Sequence, residues 1–504
     1  MSNTAPGAYI EESPSGSRVI TGVATSVTAF VGRAPRGPVD QPVSVASLTE
    51  FEGVFGPLWT ESGLGYAARA FFDNGGESAV VVRVDDGSQT AWVDLGNGLV
   101  IEALGPGAWA NDLVVGVAHP GPEEAAAVAS AHGLLDGDSV FTLWLTCGDE
   151  TEVFPHVTSG DGPRRMDAVL RSSRLARVRG TLPGPRPDTG SFPVTSQGQD
   201  GALPGSDAYL SGVGEKRGLR ALDDADLVNV LVLPPVTPAG QLPDGVWAPA
   251  MEYARERRAF LLVDPPPGLA MSDVVAWATG PAGLTGPAAS SAALYVPRLR
   301  QSDPLQGGAV ASFAASGAVA GVYGRTDAAR GVWKAPAGRE ASLVGTLGPS
   351  VMLDDAENGR LNPEGVNVIR AFAGVGTVVW GSRTMRGADR SADEYKYVPV
   401  RRLALHIEES VYRGTQWAVF EPNDERLWVQ LRSAIEAFLH DLFRRGAFQG
   451  SAPEQAYFVT CDRTTTTPSD IASGVVNVLI GFAPVKPAEF LIIRLRQRAA
   501  VAQP

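Results

Sequence analysis

Apolar positions along this chain change period several times, and the changes mark out its elements. Residues 27–32 (Val-Thr-Ala-Phe-Val-Gly) are rich in β-formers and predict a strand. Ser47 and Glu50 have capping-box spacing, with Phe51, Val54 and Phe55 on one face of a short helix. Residues 65–74 predict a second helix, stopped by Gly75-Gly76. Residues 79–84 are almost continuously apolar, as in a strand covered on both faces. From residue 222 strand and helix patterns alternate: strands at 227–233, 259–263 and 292–296, helices at 245–258 and 271–279. Such alternation predicts an α/β fold with parallel pairing. Two later helices have the strongest period. In 398–412, Val400, Leu403, Ile407 and Val411 share a face. In 424–445, Leu427, Leu431, Ile435, Phe438 and Leu442 do the same, with Arg444-Arg445 in the last turn and Gly446 after it. Strands are expected at 475–482 and 489–496.

Two stretches break this rhythm. Residues 1–20 are rich in Pro, Gly and Ser and read as an extended arm with one β-like patch, Ala8 to Glu12. Residues 85–218 have short apolar runs separated by Gly, Asp and Pro, and 180–205 has little periodicity. This predicts a mostly β, loop-rich insertion at the periphery. The domain plan is therefore an arm at 1–20, a middle α/β domain from 21–84 plus 220–360, the insertion at 85–219, a C-terminal core domain at 361–488, and a closing strand at 489–504.

Composition narrows the function. At 504 residues with 44% hydrophobic content the chain can bury several cores. A net charge of −13, with 42 basic against 55 acidic residues, disfavours nucleic acid as a partner. No apolar stretch reaches the ~18 residues of a membrane span, and residues 1–12 lack a secretory pattern. The two cysteines, Cys147 and Cys461, form no CxxC pair, which fits a reducing compartment.

Catalytic patterns are missing. The five histidines make no HExxH, no GxSxG elbow occurs, and there is no GxxxxGK[ST]. Gly212 to Gly218 approaches a nucleotide fingerprint, but its third Gly is one position late. Asp354 to Gly359 imitates a calcium loop, yet Ala356 and Gly365 stand where ligands are needed. The expectation is no enzyme, no cofactor and no metal.

Ordered motifs give a positive signal. Ala70-Phe71-Phe72-Asp73-Asn74-Gly75-Gly76, running into Ala79 to Val84, resembles a signature of contractile tail sheath proteins of phages and phage tail-like injection systems. Pro6 to Glu12, Gly321 to Asp327 with Gly331 to Pro336, Leu361 to Asn367, Gly414 to Asp424 and Phe482 to Phe490 resemble the same family in the same order. The resemblance covers 1–84 and 220–496. It implies a non-enzymatic polymer: a mixed α/β multidomain subunit, six per ring, stacked around an inner tube. Contraction then drives the tube into a target. It also implies baseplate and cap partners, assembly in the bacterial cytoplasm, and a place in a virion tail or a phage tail-like particle, without membrane insertion. Terminal strands would be donated to neighbours through Tyr9, Ile10, Glu11, Glu12, Val19, Ile20, Leu491, Ile493 and Leu495. The 424–445 helix is the expected tube contact, through Arg426, Arg432, Arg444 and Arg445. The alternatives are a tube, baseplate or fibre component of the same machine, or a cytosolic α/β enzyme.

Overall fold

In the computed structural model, residues 19–132, 137–182, 185–212 and 214–490 are described. The chain forms two compact units. Of the described residues, one comprises those in 25–330 and 334–401, and the other those in 19–24, 331–333 and 402–490.

The first unit is built on an eight-stranded sheet. Its spatial order is Gly376–Val379, Val366–Phe372, Ala292–Val296, Phe260–Val263, Val230–Val232, Thr28–Gly32, Ala79–Arg83 and Pro42–Val45. The six central strands are parallel and both outer strands are antiparallel. Alternate residues feed two faces. Ala29, Val31, Val80 and Val82 join a core with Trp247, Met251 and Val274. On the other face, Phe30 meets Phe71 edge-on at 5.4 Å. Burial on both faces explains why the central strands are nearly all apolar.

The local signals act as the sequence implies. Ser47 accepts from the Glu50 amide at 3.1 Å, opening Leu48–Phe55. Glu50 bonds back to the Ala46 amide, one residue before the cap. Gly75 takes φ +94° and ends Leu64–Asp73. Asp354 and Glu357 make a reciprocal capping box on Asp355–Leu361, which accounts for the calcium-like pattern.

One helix, Ser316–Arg330, has no amphipathic signature because nearly its whole N-terminal half is buried. Its glycines explain the packing. A Cβ on Gly317 would collide with the Ala67 carbonyl, and one on Gly321 with the Phe71 carbonyl. Helix therefore lies on helix at backbone contact, a closeness only Gly allows.

The insertion is β-rich, as expected, and has its own core around Ile101, Val115, Phe141, Leu143 and Met166. It forms a four-stranded and a three-stranded antiparallel sheet, plus a helix, Pro122–His132, that the pattern did not suggest. Residues 190–205 are not a slack loop. Gly190–Pro193 pairs with Val114–Ala118, and Thr195, Gln199 and Ala202 donate backbone bonds to Trp92, Gln89 and Asp86. Buried arginines pin the root: Arg83 donates to the Gly37 and Pro106 carbonyls, and Arg33 to those of Asp200 and Gly201.

Residues 361–401 differ from the expected domain plan. Val366–Phe372 pairs in parallel with Ala292–Val296, so this stretch completes the large sheet and the second unit takes up the chain at Arg402. The second unit contains most of the Val398–Gly414 helix, Glu425–Arg444, and a two-stranded antiparallel sheet of Tyr457–Thr460 and Leu479–Phe482.

Candidate interaction surfaces

Glu425–Arg444 is capped by Asp424, whose side chain accepts from the Arg426 and Leu427 amides at 3.0 Å. Leu427, Leu431, Ile435, Phe438 and Leu442 are all buried, as their spacing requires. Their burial fixes the direction of the four arginines. Arg426 and Arg444 lie about five turns apart on one azimuth, and both are exposed. Between them on that face stand Ser433, Ala437 and His440, all exposed. Arg432 is turned roughly 120° away. It is half-buried, with its guanidinium on the Cys461 carbonyl at 3.4 Å and Glu436 at 4.0 Å. Arg445 lies over the Trp333 ring at 5.3 Å and pairs loosely with Asp441 at 3.7 Å. The helix thus brings Arg426 and Arg444 together on one face and commits Arg432 and Arg445 to their own unit.

The two-stranded sheet is open. Val459 and Ile480 face the helix core, and Tyr457 reaches His440 at 3.2 Å. The opposite face carries Phe458, 53% exposed, and Leu479, 55% exposed. Neither strand has a second strand beside it among the described residues. Nothing in the local pattern separates Tyr457–Thr460 from its flanks. Four residues following a Pro453 turn are too short to show a period, and the Tyr-Phe-Val-Thr composition is their one signal.

Tyr9, Ile10, Glu11 and Glu12 lie outside the described residues, as do Leu491, Ile493 and Leu495. The two remaining arm positions divide sharply. Val19 is 73% exposed, whereas Ile20 is buried with Leu403, Ile407 and Phe438. Ile20 therefore anchors the arm's root inside its own chain. The root follows a stripe at i, i+4 and i+8 of the Val398–Gly414 helix. Gly414 leaves room for Ile20, Ser410 Oγ accepts from the Val23 amide at 3.1 Å, and His406 lies under Gly22. Burial, with Arg445 and Arg402 nearby, pushes the His406 pKa down to about 4. Its ring is held neutral beneath the arm.

Among the described residues no group of His, Cys, Asp and Glu could hold a metal, and no helix is long and apolar enough to cross a membrane. Burial raises the pKa of both Cys147 and Cys461, the opposite of an activated thiolate.

Comparison with known proteins supplies the family of the chain. Residues 246–385 match the phage tail sheath protein central domain, and residues 390–498 the phage tail sheath C-terminal domain. The tail sheath protein of Burkholderia phage BcepMu is 25% identical over 490 residues, which cover 95% of this chain and 94% of that one. The sheath of an extracellular contractile injection system, PVC, in its contracted state aligns with a TM-score of 0.59 at 22% identity over 99% of each chain. The contracted helical sheath of the anti-feeding prophage gives 0.58 at 23% identity, over 99% of this chain and 100% of that one. The ordered motifs, the matched central and C-terminal domains and the full-length sheath relative lead to one conclusion: the chain is a tail sheath protein, the structural subunit of a contractile sheath in a phage tail or phage tail-like particle.

Proposed function

We infer that this subunit polymerises as stacked six-membered rings around an inner tube, between a baseplate and a cap, after synthesis in the bacterial cytoplasm. One observation carries the reading. Among the described residues the two-stranded sheet leaves its edges unpaired, and it shows an apolar outer face at Phe458 and Leu479. A lone hairpin-like pair is marginal by itself, and open edges are templates for strands from other chains. The sequences before residue 19 and after residue 490 would supply the added strands. Tyr9, Ile10, Leu491, Ile493 and Leu495 would supply the apolar side chains.

Strand exchange of this kind repeated along a helical operator gives an open tube. It also keeps subunits tethered while their bodies rotate. The extended sheath is then a kinetically held state, and contraction releases it by repacking subunit faces without hydrolysis. Arg426 and Arg444 face the tube as a small polar contact that can be given up during contraction. The insertion, closed around its own core, sits on the outside.

Deleting residues 1–18 tests the joint while keeping the Ile20 anchor. The truncated chain should remain a folded monomer with an unchanged unfolding transition, yet form no tubes by electron microscopy. Tubes of ordinary length from this truncation would refute strand donation by the N-terminal arm.

A further inference from the structure

Asn-Gly occurs three times in the chain, at Asn74-Gly75, Asn97-Gly98 and Asn358-Gly359. The pair carries chemistry of its own. With no side chain on Gly, its backbone nitrogen can reach the side-chain carbon of the preceding Asn and close a five-membered ring. Closure depends on whether the fold holds those atoms apart, and the three sites differ in this.

Two are locked. Asn74 is fully buried. Its side-chain oxygen accepts from the Val344 amide at 2.8 Å and its side-chain nitrogen donates to the Ala70 carbonyl at 2.8 Å. The Gly75 amide is committed to the Phe72 carbonyl at 3.1 Å. Asn358 lies inside the capped helix Asp355–Leu361. There the Gly359 amide is directed at the carbonyl four residues back, and ring closure would require the backbone to leave helical dihedrals.

Asn97 is open. It lies in the turn that joins the antiparallel strands Trp92–Asp94 and Val100–Ala103 of the insertion. Its φ is +54°, between Gly96 at +83° and Gly98 at +80°, a left-handed run that suits Gly and Asn. All three residues are exposed, and the space around the Gly98 Cα is empty. Neither the Asn97 side chain nor the Gly98 amide has a hydrogen-bond partner among the described residues. The turn is held from its flanks instead. Leu95 and Leu99 are buried. The Leu95 amide donates to the Leu99 carbonyl and the Leu99 amide to the Gly96 carbonyl, both at 2.9 Å.

We propose that Asn97 is a self-modification site, converted to aspartate and isoaspartate while the chain stays folded. The Gly98 nitrogen bonds to the Asn97 Cγ and gives up its proton, and the side-chain amide leaves as ammonia. Water then opens the resulting succinimide. Opening at Cγ gives aspartate, and opening at the main-chain carbonyl gives isoaspartate. Each product carries one new carboxylate, and water is the one co-reactant. The bonds that hold the turn use neither of the reacting groups, so the insertion keeps its core and gains a negative charge at this turn.

The test uses the full chain, incubated at pH 8 both folded and in urea. Digestion after Asp and Glu releases residues 95–102, 74–77 and 358–364 as separate peptides, and mass spectrometry reads amide-to-acid exchange in each. In the folded chain 95–102 should convert at least ~10-fold faster than the other two, which must first open locally. In urea the three rates should converge. An isoaspartyl methyltransferase should label 95–102 of the folded, aged chain, and the acidic species resolved by anion exchange should be missing from Asn97→Gln. Equal rates for the three sites in the folded chain would overturn the proposal. So would an Asn97 rate that rises in urea as much as that of Asn74. A modified fraction with a lower unfolding midpoint than the parent would overturn the claim that the fold survives the change.

Discussion

The eight-stranded sheet of the first unit and the two-stranded sheet of the second solve the edge problem in opposite ways. In the first, antiparallel strands terminate both sides, helices cover both faces, and every residue of Thr28–Gly32, Ala79–Arg83 and Ala292–Val296 is buried. In the second, Tyr457–Thr460 and Leu479–Phe482 cover one face only and leave Phe458 and Leu479 in solvent. The first sheet buries both faces within its own unit, and the backbone of Ala341 and Leu343 bonds to the outer edge of Gly376–Val379. The second leaves one apolar face and, among the described residues, its strand edges uncovered, which is the feature that the strand-donation proposal uses.

The strongest way to break this contrast is to make the open sheet hostile to added strands. Phe458→Asp together with Leu479→Asp puts charge on an already exposed face. Monomer stability should change by no more than about 0.5 kcal/mol per site, while polymer yield in pelleting assays falls to background. Equivalent changes in the large sheet should behave in reverse. Val81→Asp buries an unpaired charge and should abolish folding, measured by loss of soluble protein.

The arm's root sharpens the same comparison at the level of two neighbouring residues. Ile20→Ala removes side-chain volume from a packed core and should cost about 2–4 kcal/mol in denaturant unfolding. Val19→Ala, one residue away and exposed, should stay within about 0.5 kcal/mol. If both were silent, the arm would not be anchored where Ile20 lies.

How far the sequence anticipated this division depends on the kind of signal. The long helices were legible because their buried faces are strictly periodic and their ends carry Asp424 and Gly446. Ala292–Val296 was legible because it is apolar throughout. Ser316–Arg330 was not, since buried glycines carry no amphipathic period and their reason lies in the backbone of another helix. The pairing of Val366–Phe372 with Ala292–Val296 was hidden for a related reason: parallel partners far apart in sequence leave no local trace. The site residues divide likewise. Spacing placed the helix face correctly but could not tell that Arg432 turns onto the Cys461 carbonyl.

His406 extends the comparison to pH. Its folded-state pKa is about 4, below the ordinary ~6.5. The unfolded chain therefore binds more protons between those values. Stability from this group is complete above pH ~6.5 and is lost progressively as pH falls toward 4, by about 3 kcal/mol in all. Denaturant midpoints at pH 7.5, 5.5 and 4.5 should fall in that order, and His406→Leu should flatten the part of the slope that this group supplies. An unchanged slope in the variant would locate the acid sensitivity elsewhere.

The smallest expected effect concerns the tube. Arg426 and Arg444 share an exposed azimuth, and neither contributes to the buried core of the helix. Exposed ion pairs are worth about 0–1 kcal/mol each, so Arg426→Glu or Arg444→Glu alone should reduce extended sheath on tubes only a few-fold. The double variant should reduce it further, because a polymer repeats a weak contact at every subunit. Contracted, tube-free sheath should form as before. The loss should shrink at high salt, where exposed charges more than a Debye length apart are screened. Arg432→Glu separates the two explanations of such a loss. Its guanidinium is committed to the Cys461 carbonyl, so reversal there should lower the unfolding midpoint of the monomer and leave tube preference to follow stability alone. If Arg426→Glu and Arg444→Glu left the ratio of extended to contracted sheath unchanged at both low and physiological salt, the tube would lie against another face.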